Sequence, residues 1–260
     1  MIKMTVISLT TDFGLADGFV GIMKGVILRI APHVRFVDLT HEIAPQDVRQ
    51  AAYVLARAAP YFPRATIHLA VVDPGVGSAR RPLLVTTERA AYIGPDNGIF
   101  SHALAEPGAQ AWELDQPRFW LPQVSRTFHG RDIFAPVAAH FANGIPPEQF
   151  GRPITDPVCL AVAEPSRESD GSLSGDIVSI DRFGNLISNI PAAWVATGRW
   201  RCRIGGHEAP LLSTYADVSS GVLVGLVGSD GAVEIAVRNG NAAHQLGVGI
   251  GAPIELWTTE

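Results

Sequence analysis

An apolar run that ends abruptly in a turn constrains the fold most. Residues 67–72 are mainly apolar, which indicates a buried strand. Pro74 lacks a backbone donor and fixes φ, so the strand has to end there. The turn presents Asp73 at the strand's C-terminal end, and Arg80 follows it closely. Because open α/β sheets bind ligands beyond the carboxyl ends of their strands, this segment predicts a ligand site, although a sharp turn with a surface ion pair explains the same residues.

The first part of the chain alternates between strand-like and helix-like patterns. Apolar residues recur at helical spacing over residues 19–30, 48–58 and 134–141. The strand-like runs between them cover residues 6–9, 34–39, 67–72, 83–87 and 91–93. This alternation predicts an N-terminal α/β domain with a central sheet that is parallel in part.

The composition changes after Pro165. Residues 166–172 are polar and indicate a linker or a hairpin loop. The short apolar runs beyond them, separated by Gly, Asp and Asn, cover residues 177–180, 186–190, 222–227, 233–237 and 253–257. We therefore expect an α/β domain over residues 1–165 and a smaller β-rich domain over residues 172–260.

Bulk properties exclude several classes of protein. A formal charge of −5 and a pI near 5.9 argue against nucleic-acid binding, which usually needs a basic face. No apolar stretch approaches the roughly 20 residues that span a membrane, and the N-terminal apolar run is too short for a signal peptide. Cys159 and Cys202 lack metal-ligand spacing, which favours reduced thiols in a cytoplasmic protein over a single disulfide.

Acidic residues end several of the predicted strands. Asp12, Asp38 and Asp73 follow three strands and Asp96 lies in another strand-end turn, so we expect these acids to converge on one cleft. His129 precedes a glycine at the start of a predicted helix, where it has either a catalytic or a structural role. Asp and His clusters bind divalent ions, but an adjacent arginine would repel a cation, so a metal-dependent hydrolase is the less favoured alternative.

The remaining candidates have structural alternatives. We expect His41 to be a helix-approach or capping residue and His68 to lie in the core. Asp181, Phe183 and Asn185 combine a carboxylate, a ring and an amide, which can hold a nucleoside or an amino acid. An Asx-type turn between two strands explains the same residues. No GxSxG pattern indicates a serine nucleophile.

In combination and in this order, the motifs resemble the S-adenosyl-L-methionine (SAM) hydroxide adenosyltransferase family, which is related to the fluorinases and chlorinases that halogenate SAM at C5′. The matching segments are Thr11-Asp12-Phe13-Gly14 with Asp17, Met23-Lys24-Gly25, Asp38-Leu39-Thr40-His41, residues 72–77, Pro95-Asp96-Asn97-Gly98, residues 127–132, residues 181–185, and Gly228-Ser229 with residues 234–237. The resemblance implies an N-terminal α/β domain, a C-terminal β-barrel-like domain, and a homotrimer with its sites between subunits.

The resemblance also implies roles for individual residues. Asp73, Arg80 and His129 match the set that holds the attacking water in the hydrolytic members. Halogenating relatives carry uncharged residues at the first position and lack the histidine. The implied substrate-binding residues are Asp12 at the ribose, Asp181 and Asn185 at the methionine part with Phe183 beside them, Ser229, Glu234 and Val237 on the adenine side, and Asp17. No cofactor and no metal are implied, since SAM is the substrate.

The expected activity is hydrolysis of SAM to adenosine and L-methionine by water attack on C5′. A 5′-halogenase on the same scaffold and a non-catalytic sensor of SAM or adenosine are the alternatives. Ile187 and Val237 replace an aromatic residue and an arginine of the halogenating pattern, and a carboxylate at Asp73 would repel a halide in a desolvated pocket. Water is therefore the expected nucleophile.

Overall fold

A computed structural model of the chain shows two compact units. The structure describes residues 5–161 and 163–259. One unit extends up to Leu160 and the other begins at Ala161, a few residues before the predicted division. The predicted fold class, an α/β part with a central sheet followed by a β-barrel-like part, is confirmed.

The N-terminal unit is built on a seven-stranded mixed sheet with the order β2-β1-β3-β5-β4-β6-β7. Its strands are β1 (Val6–Thr11), β2 (Arg35–Thr40), β3 (Thr66–Val71), β4 (Pro82–Thr86), β5 (Ala90–Pro95), β6 (Gln110–Glu113) and β7 (Pro153–Ile154). The first four in spatial order are parallel, and the other three are antiparallel to their neighbours. The carboxyl ends of β1 and β3 therefore lie side by side, which brings the residues that follow them together.

Helices cover this sheet. They are α1 (Phe19–Ile30), α2 (Val48–Ala58), α3 (Ser101–Leu104) and α4 (Ala135–Ala142). The buried side of α1 carries Val20, Met23 and Ile27, and each such side chain contributes about 1.5–3 kcal/mol by leaving water. Asp47 caps α2 by accepting a hydrogen bond from the backbone N–H of Gln50 at 2.8 Å. Over residues 5–161 and 163–259, no helix has both the length and the apolar character that a membrane crossing requires.

The C-terminal unit is a closed barrel of seven strands. The order β10-β14-β13-β12-β11-β15-β9 returns to its start because β9 also pairs with β10. Its elements are β8 (Ser166–Arg167), β9 (Leu173–Ile180), β10 (Leu186–Pro191), β11 (Arg199–Ile204), β12 (His207–Leu212), β13 (Leu223–Val227), β14 (Ala232–Val237), α5 (Ala242–Leu246) and β15 (Pro253–Thr259). The polar stretch 166–172 is the hairpin between β8 and β9 rather than a linker. Closure removes the exposed sheet edges that an open sheet would leave.

Candidate functional site

A cavity of about 410 Å³ opens at the carboxyl edge of the parallel strands. Asp12 lines it directly after β1, Asp73 lines it after β3, and His129 reaches it from the loop before α4. Three of the predicted site residues thus share one cavity in the N-terminal unit. This is the position in which open α/β sheets bind their ligands.

The turn after β3 folds Arg80 back onto Asp73. The Arg80 Nε donates to both carboxylate oxygens, at 2.9 and 3.1 Å, and Nη2 donates to Oδ2. Their side chains are 9% and 6% exposed, so the ion pair is nearly withdrawn from water. Gly77 makes the turn possible: it has φ of +75°, and a Cβ there would collide with the backbone carbonyl of Arg126. The predicted surface ion pair is therefore a buried fork-like contact.

Arg80 also contacts His129. Its Nη2 lies 2.9 Å from the histidine Nδ1. Because a guanidinium has no acceptor, Nδ1 accepts this hydrogen bond and carries no proton, which leaves the ring proton on Nε2. Burial, followed by the charge of Arg80, lowers the pKa of His129, while Asp73, Asp132 and the Ser125 carbonyl act in the opposite direction. The imidazole is consequently neutral at physiological pH.

The backbone around His129 is tightly built. Residues Gly130–Phe134 form a π-helical turn, a rare feature that is frequent at functional sites. A Cβ on Gly130 would lie 3.2 Å from the Met23 sulfur and 3.5 Å from a Val71 methyl. Glycine therefore lets the turn approach β3 and α1 closely enough to place His129 beside Arg80.

The ribose-side candidate Asp12 is held by the backbone. Its Oδ2 accepts a hydrogen bond from the N–H of Gln46 at 2.8 Å. Beside it, the rings of Phe13, Phe19 and Phe128 lie 5.1–6.0 Å apart and form an aromatic wall of the cavity. Asp17 lies exposed in the turn before α1 and does not line this cavity.

The other two strand-end acids do not join the cavity, so their predicted convergence is wrong. Asp38 pairs with Lys24 at 2.7 Å. Burial would raise the pKa of Asp38, but the hydrogen bonds from Lys24 and His41 outweigh it and hold that pKa below its usual value. Asp96 binds Arg81 and accepts the N–H of Val158 at 2.8 Å. Both carboxylates are already satisfied by local partners.

His41 lies in the segment that leads to α2 but does not cap a helix, so of its two expected roles the capping role is wrong. Gly18 and Asp47 stand at the cap positions of the helices on either side of it. The His41 ring is buried, and its Nδ1 lies 2.9 Å from Thr11 Oγ1. It thus braces the turn that carries Asp12.

In the C-terminal unit, Asp181 organises a tight turn. Its Oδ1 accepts the backbone N–H groups of Phe183 and Asn185, and its Oδ2 accepts the Asn185 side-chain amide, each at 2.9 Å. This is the Asx-type geometry that the sequence left open. The turn holds the Phe183 ring 73% exposed, which presents a large apolar face to solvent.

The adenine-side candidates occupy different environments in the barrel. Burial raises the pKa of Glu234, and Asp181 adds to this, although a 2.6 Å hydrogen bond from the Tyr215 hydroxyl opposes it. Ser229 is exposed in the turn after β13. The Val237 side chain packs in the barrel core, and its carbonyl accepts the backbone N–H of Gly240 at 3.0 Å. The sequence did not indicate Tyr215 as the partner of Glu234. The available signal was an aromatic residue in a short polar segment.

Among the residues that the structure describes, no group of three or more His, Cys, Asp or Glu side chains is arranged to hold a metal ion. The cation that pairs with Asp73 is Arg80.

Two family models match the chain, one in each unit. The model of the SAM hydroxide adenosyltransferase N-terminal domain matches residues 7–151, and that of the C-terminal domain matches residues 175–255. The chain belongs to the SAM hydroxide adenosyltransferase family. It is therefore an enzyme, and the resemblance recognised from its motifs is confirmed.

Relatives agree over nearly the full length. A protein of Thermus thermophilus named (R)-S-adenosyl-L-methionine hydrolase is 42% identical over 95% of this chain and 97% of its own. One of the same name from Salinispora tropica is 44% identical over 93% and 94%. A solved structure from Thermotoga maritima superposes with a TM-score of 0.89 at 36% identity, covering 96% of this chain and all of that one. Proteins named fluorinase are more distant, such as one from an Actinoplanes species at 29% identity over 82% of this chain and 83% of its own.

Proposed function

We propose that this enzyme hydrolyses SAM to adenosine and L-methionine by in-line attack of water on C5′. The observation that carries the proposal is the contiguous set Asp73–Arg80–His129 at the cavity that Asp12 also lines. The names of the full-length relatives support the substrate, and they favour the (R) epimer at the sulfonium.

The leaving group explains why so few residues are needed. In SAM the sulfur carries a positive charge, and methionine departs as a neutral thioether when the C5′–S bond breaks. The bonding electrons stay on sulfur, so departure requires no general acid. The enzyme has to place one water in line with that bond and keep other water away.

The hydrogen bonds suggest which group takes the water's proton. The His129 Nδ1 lone pair is occupied by Arg80, and the ring proton is on Nε2, so the neutral ring has no free acceptor. A carboxylate has about four lone-pair sites, and Arg80 leaves part of this capacity on Asp73 unused. We therefore assign Asp73 as the proton acceptor, with Arg80 and His129 holding it and the water in place.

The same carboxylate opposes a halide nucleophile. A halide at the position of the water would lie beside the negative charge of Asp73, and like charges repel, most strongly once the bound substrate has displaced solvent from the cavity. Arg80 is already committed to Asp73, so its charge is not free to compensate. This supports water over chloride or fluoride.

Following the resemblance, we propose that the enzyme is a homotrimer in which the substrate also meets the C-terminal unit of a neighbouring subunit. On this proposal Asp181, Phe183 and Asn185 bind the methionine part, and Ser229, Glu234 and Val237 the adenine side. Asp17, in the turn before α1, is the remaining residue that we propose to bind the substrate. The exposed ring of Phe183 supports this proposal because its face is accessible for stacking against a ligand.

Product analysis in ¹⁸O-labelled water tests the reaction. The purified enzyme is incubated with each sulfonium epimer separately, with and without chloride. We expect adenosine with ¹⁸O at C5′ and an equimolar amount of methionine, faster with the (R) epimer. Chloride-dependent 5′-chloroadenosine, or bound SAM that stays intact, would contradict the proposal.

Mixed oligomers test the shared site. The D73A and D181A variants are each expected to be nearly inactive. Randomly mixed trimers restore two intact halves at about a quarter of sites if the halves come from different subunits. Recovery of about a quarter of wild-type activity supports the proposal, and no recovery in verified mixed trimers contradicts it.

A further inference from the structure

Asp132 is a buried carboxylate three residues after His129, and nothing in the proposed reaction uses it. Its side chain is fully buried. Arg131 Nε donates to Oδ1 at 2.6 Å and Nη2 to Oδ2 at 3.1 Å. The remaining partner is the backbone N–H of Ser125, which donates to Oδ2 at 2.8 Å. A charge taken this far from water is costly to keep unless it is paired.

Ser125 links this carboxylate to the imidazole. Its hydroxyl accepts the backbone N–H of Phe128 at 3.0 Å, and its backbone acts to raise the pKa of the His129 ring. The N–H of Asp132 donates in turn to the Phe128 carbonyl at 3.1 Å. The loop is therefore closed on itself by hydrogen bonds that begin and end at Asp132.

The position of the His129 ring depends on Arg80 and on this closed loop. Arg80 donates to Nδ1, and the hydrogen bonds between Asp132, Ser125 and Phe128 fix the backbone that carries the histidine. Loosening of the loop would let the ring move away from Arg80. The position of Ser125 depends in turn on the carboxylate of Asp132.

We propose that Asp132 is a positioning residue: its carboxylate fixes Ser125 and thereby holds the His129 imidazole against Arg80 for the hydrolysis, a role that rests on the proposed function. The residue touches neither substrate nor water in this account. It acts through the loop and through its charge. Arg131 forms an ion pair with this carboxylate from the solvent-exposed side and compensates its charge.

The charges around His129 predict the direction in which each substitution shifts the titration of its ring. Arg80 disfavours the protonated ring, whereas Asp73 and Asp132 favour it. Neutralising Asp132 by D132N therefore shifts the titration of His129 to lower pH, and R131Q, which unmasks the carboxylate, shifts it to higher pH. General loosening of the loop would not produce shifts of opposite sign.

The experiment follows His129 by NMR in the full-length protein carrying ¹³C-labelled histidine, with the resonance assigned from the H129Q spectrum. D96N is the matched control, since Asp96 is likewise buried, paired with an arginine and bonded to a loop N–H, but belongs to another network. Kinetics with SAM add a second readout. D132A should lower kcat about 100-fold, as expected for a displaced catalytic group, with KM changed little and D132N giving partial rescue.

Opposite shifts in D132N and R131Q, with no shift in D96N, support the proposal. An unchanged His129 titration in D132N, or an equal shift in D96N, overturns it, even if the variant is less stable. D132N keeps the shape of the side chain and an oxygen for Ser125, so it remains testable if D132A does not fold. The titration needs no substrate, so absence of SAM hydrolysis would refute the proposed function without affecting this readout.

Discussion

Substitution of Arg80 by methionine probes the buried ion pair that organises the cavity. The change keeps a long apolar side chain, so packing against the Phe134 ring, which the guanidinium approaches to 5.2 Å, is retained in part. What is lost is the partner of a carboxylate whose side chain is 6% exposed. The consequence should be large, because the carboxylate loses the three N–H contacts with Arg80 that balance its charge.

Removing one member of a buried ion pair typically costs about 3–5 kcal/mol, because the other charge is left without compensation. With a tenfold change in equilibrium per about 1.4 kcal/mol, opening of the N-terminal unit becomes about 10²- to 4 × 10³-fold more frequent. Hydrogen exchange of the β3 amides reports that opening directly. It is preferable to a single melting curve, since a chain of two units need not unfold in one step.

Two further variants test whether loss of the buried ion pair causes the faster exchange in R80M. R152M removes the arginine of the Arg152–Glu113 pair, in which Arg152 is 69% exposed, and should leave exchange of the β3 amides close to the wild-type rate. D73N/R80M removes both charges and should recover much of the loss seen in R80M. The reasoning fails if R80M exchanges at the wild-type rate, or if the double variant is no more stable than R80M.

The remaining predictions concern pH and backbone. Burial lowers the pKa of His68 and His102 to about 4. Because the unfolded chain binds these protons near pH 6.5, unfolding takes up protons between pH 6.5 and 4. Each ring therefore contributes up to about 3 kcal/mol of stability that is present above pH 6.5 and is lost as pH falls toward 4. Urea unfolding at several pH values should show this slope, and a flat profile would contradict it. G77A should cost about 1–3 kcal/mol and lower kcat at least about tenfold, because its Cβ meets a carbonyl. G108A, with the same φ of +75° and no neighbour within 4 Å in the described chain, should show only the smaller backbone cost; equal effects of the two would refute the steric argument.

Periodicity predicted most of the N-terminal unit because β1, β3 and β5 are buried along nearly their whole length and read as continuous apolar runs. It missed β11 and β12 in the barrel. In β11, Trp200, Cys202 and Ile204 are buried while the intervening arginines point outward, so no apolar run appears. The alternation itself was the available signal, and the Gly205-Gly206 pair marks the hairpin that follows.

Local sequence predicted some residues of the candidate site but not the contacts between them. The turn after β3 gave Asp73 and Arg80 from local sequence, since Pro74 and Gly77 leave few alternatives. The contact between Arg80 and His129 joins residues 49 positions apart, which no local pattern can reveal. Strand-end position alone did not separate Asp12 from Asp38, because the difference lies in the partner that each finds in three dimensions.

Single-turnover kinetics of D73N with SAM test the central claim most directly. Asparagine keeps the shape of Asp73 and removes its ability to accept a proton, so the chemical step should slow by at least about 100-fold. Binding of SAM, measured separately by calorimetry, should change only a few-fold. D73N that binds SAM and converts it to adenosine at the wild-type rate would contradict the assignment of Asp73 as the group that takes the proton from water.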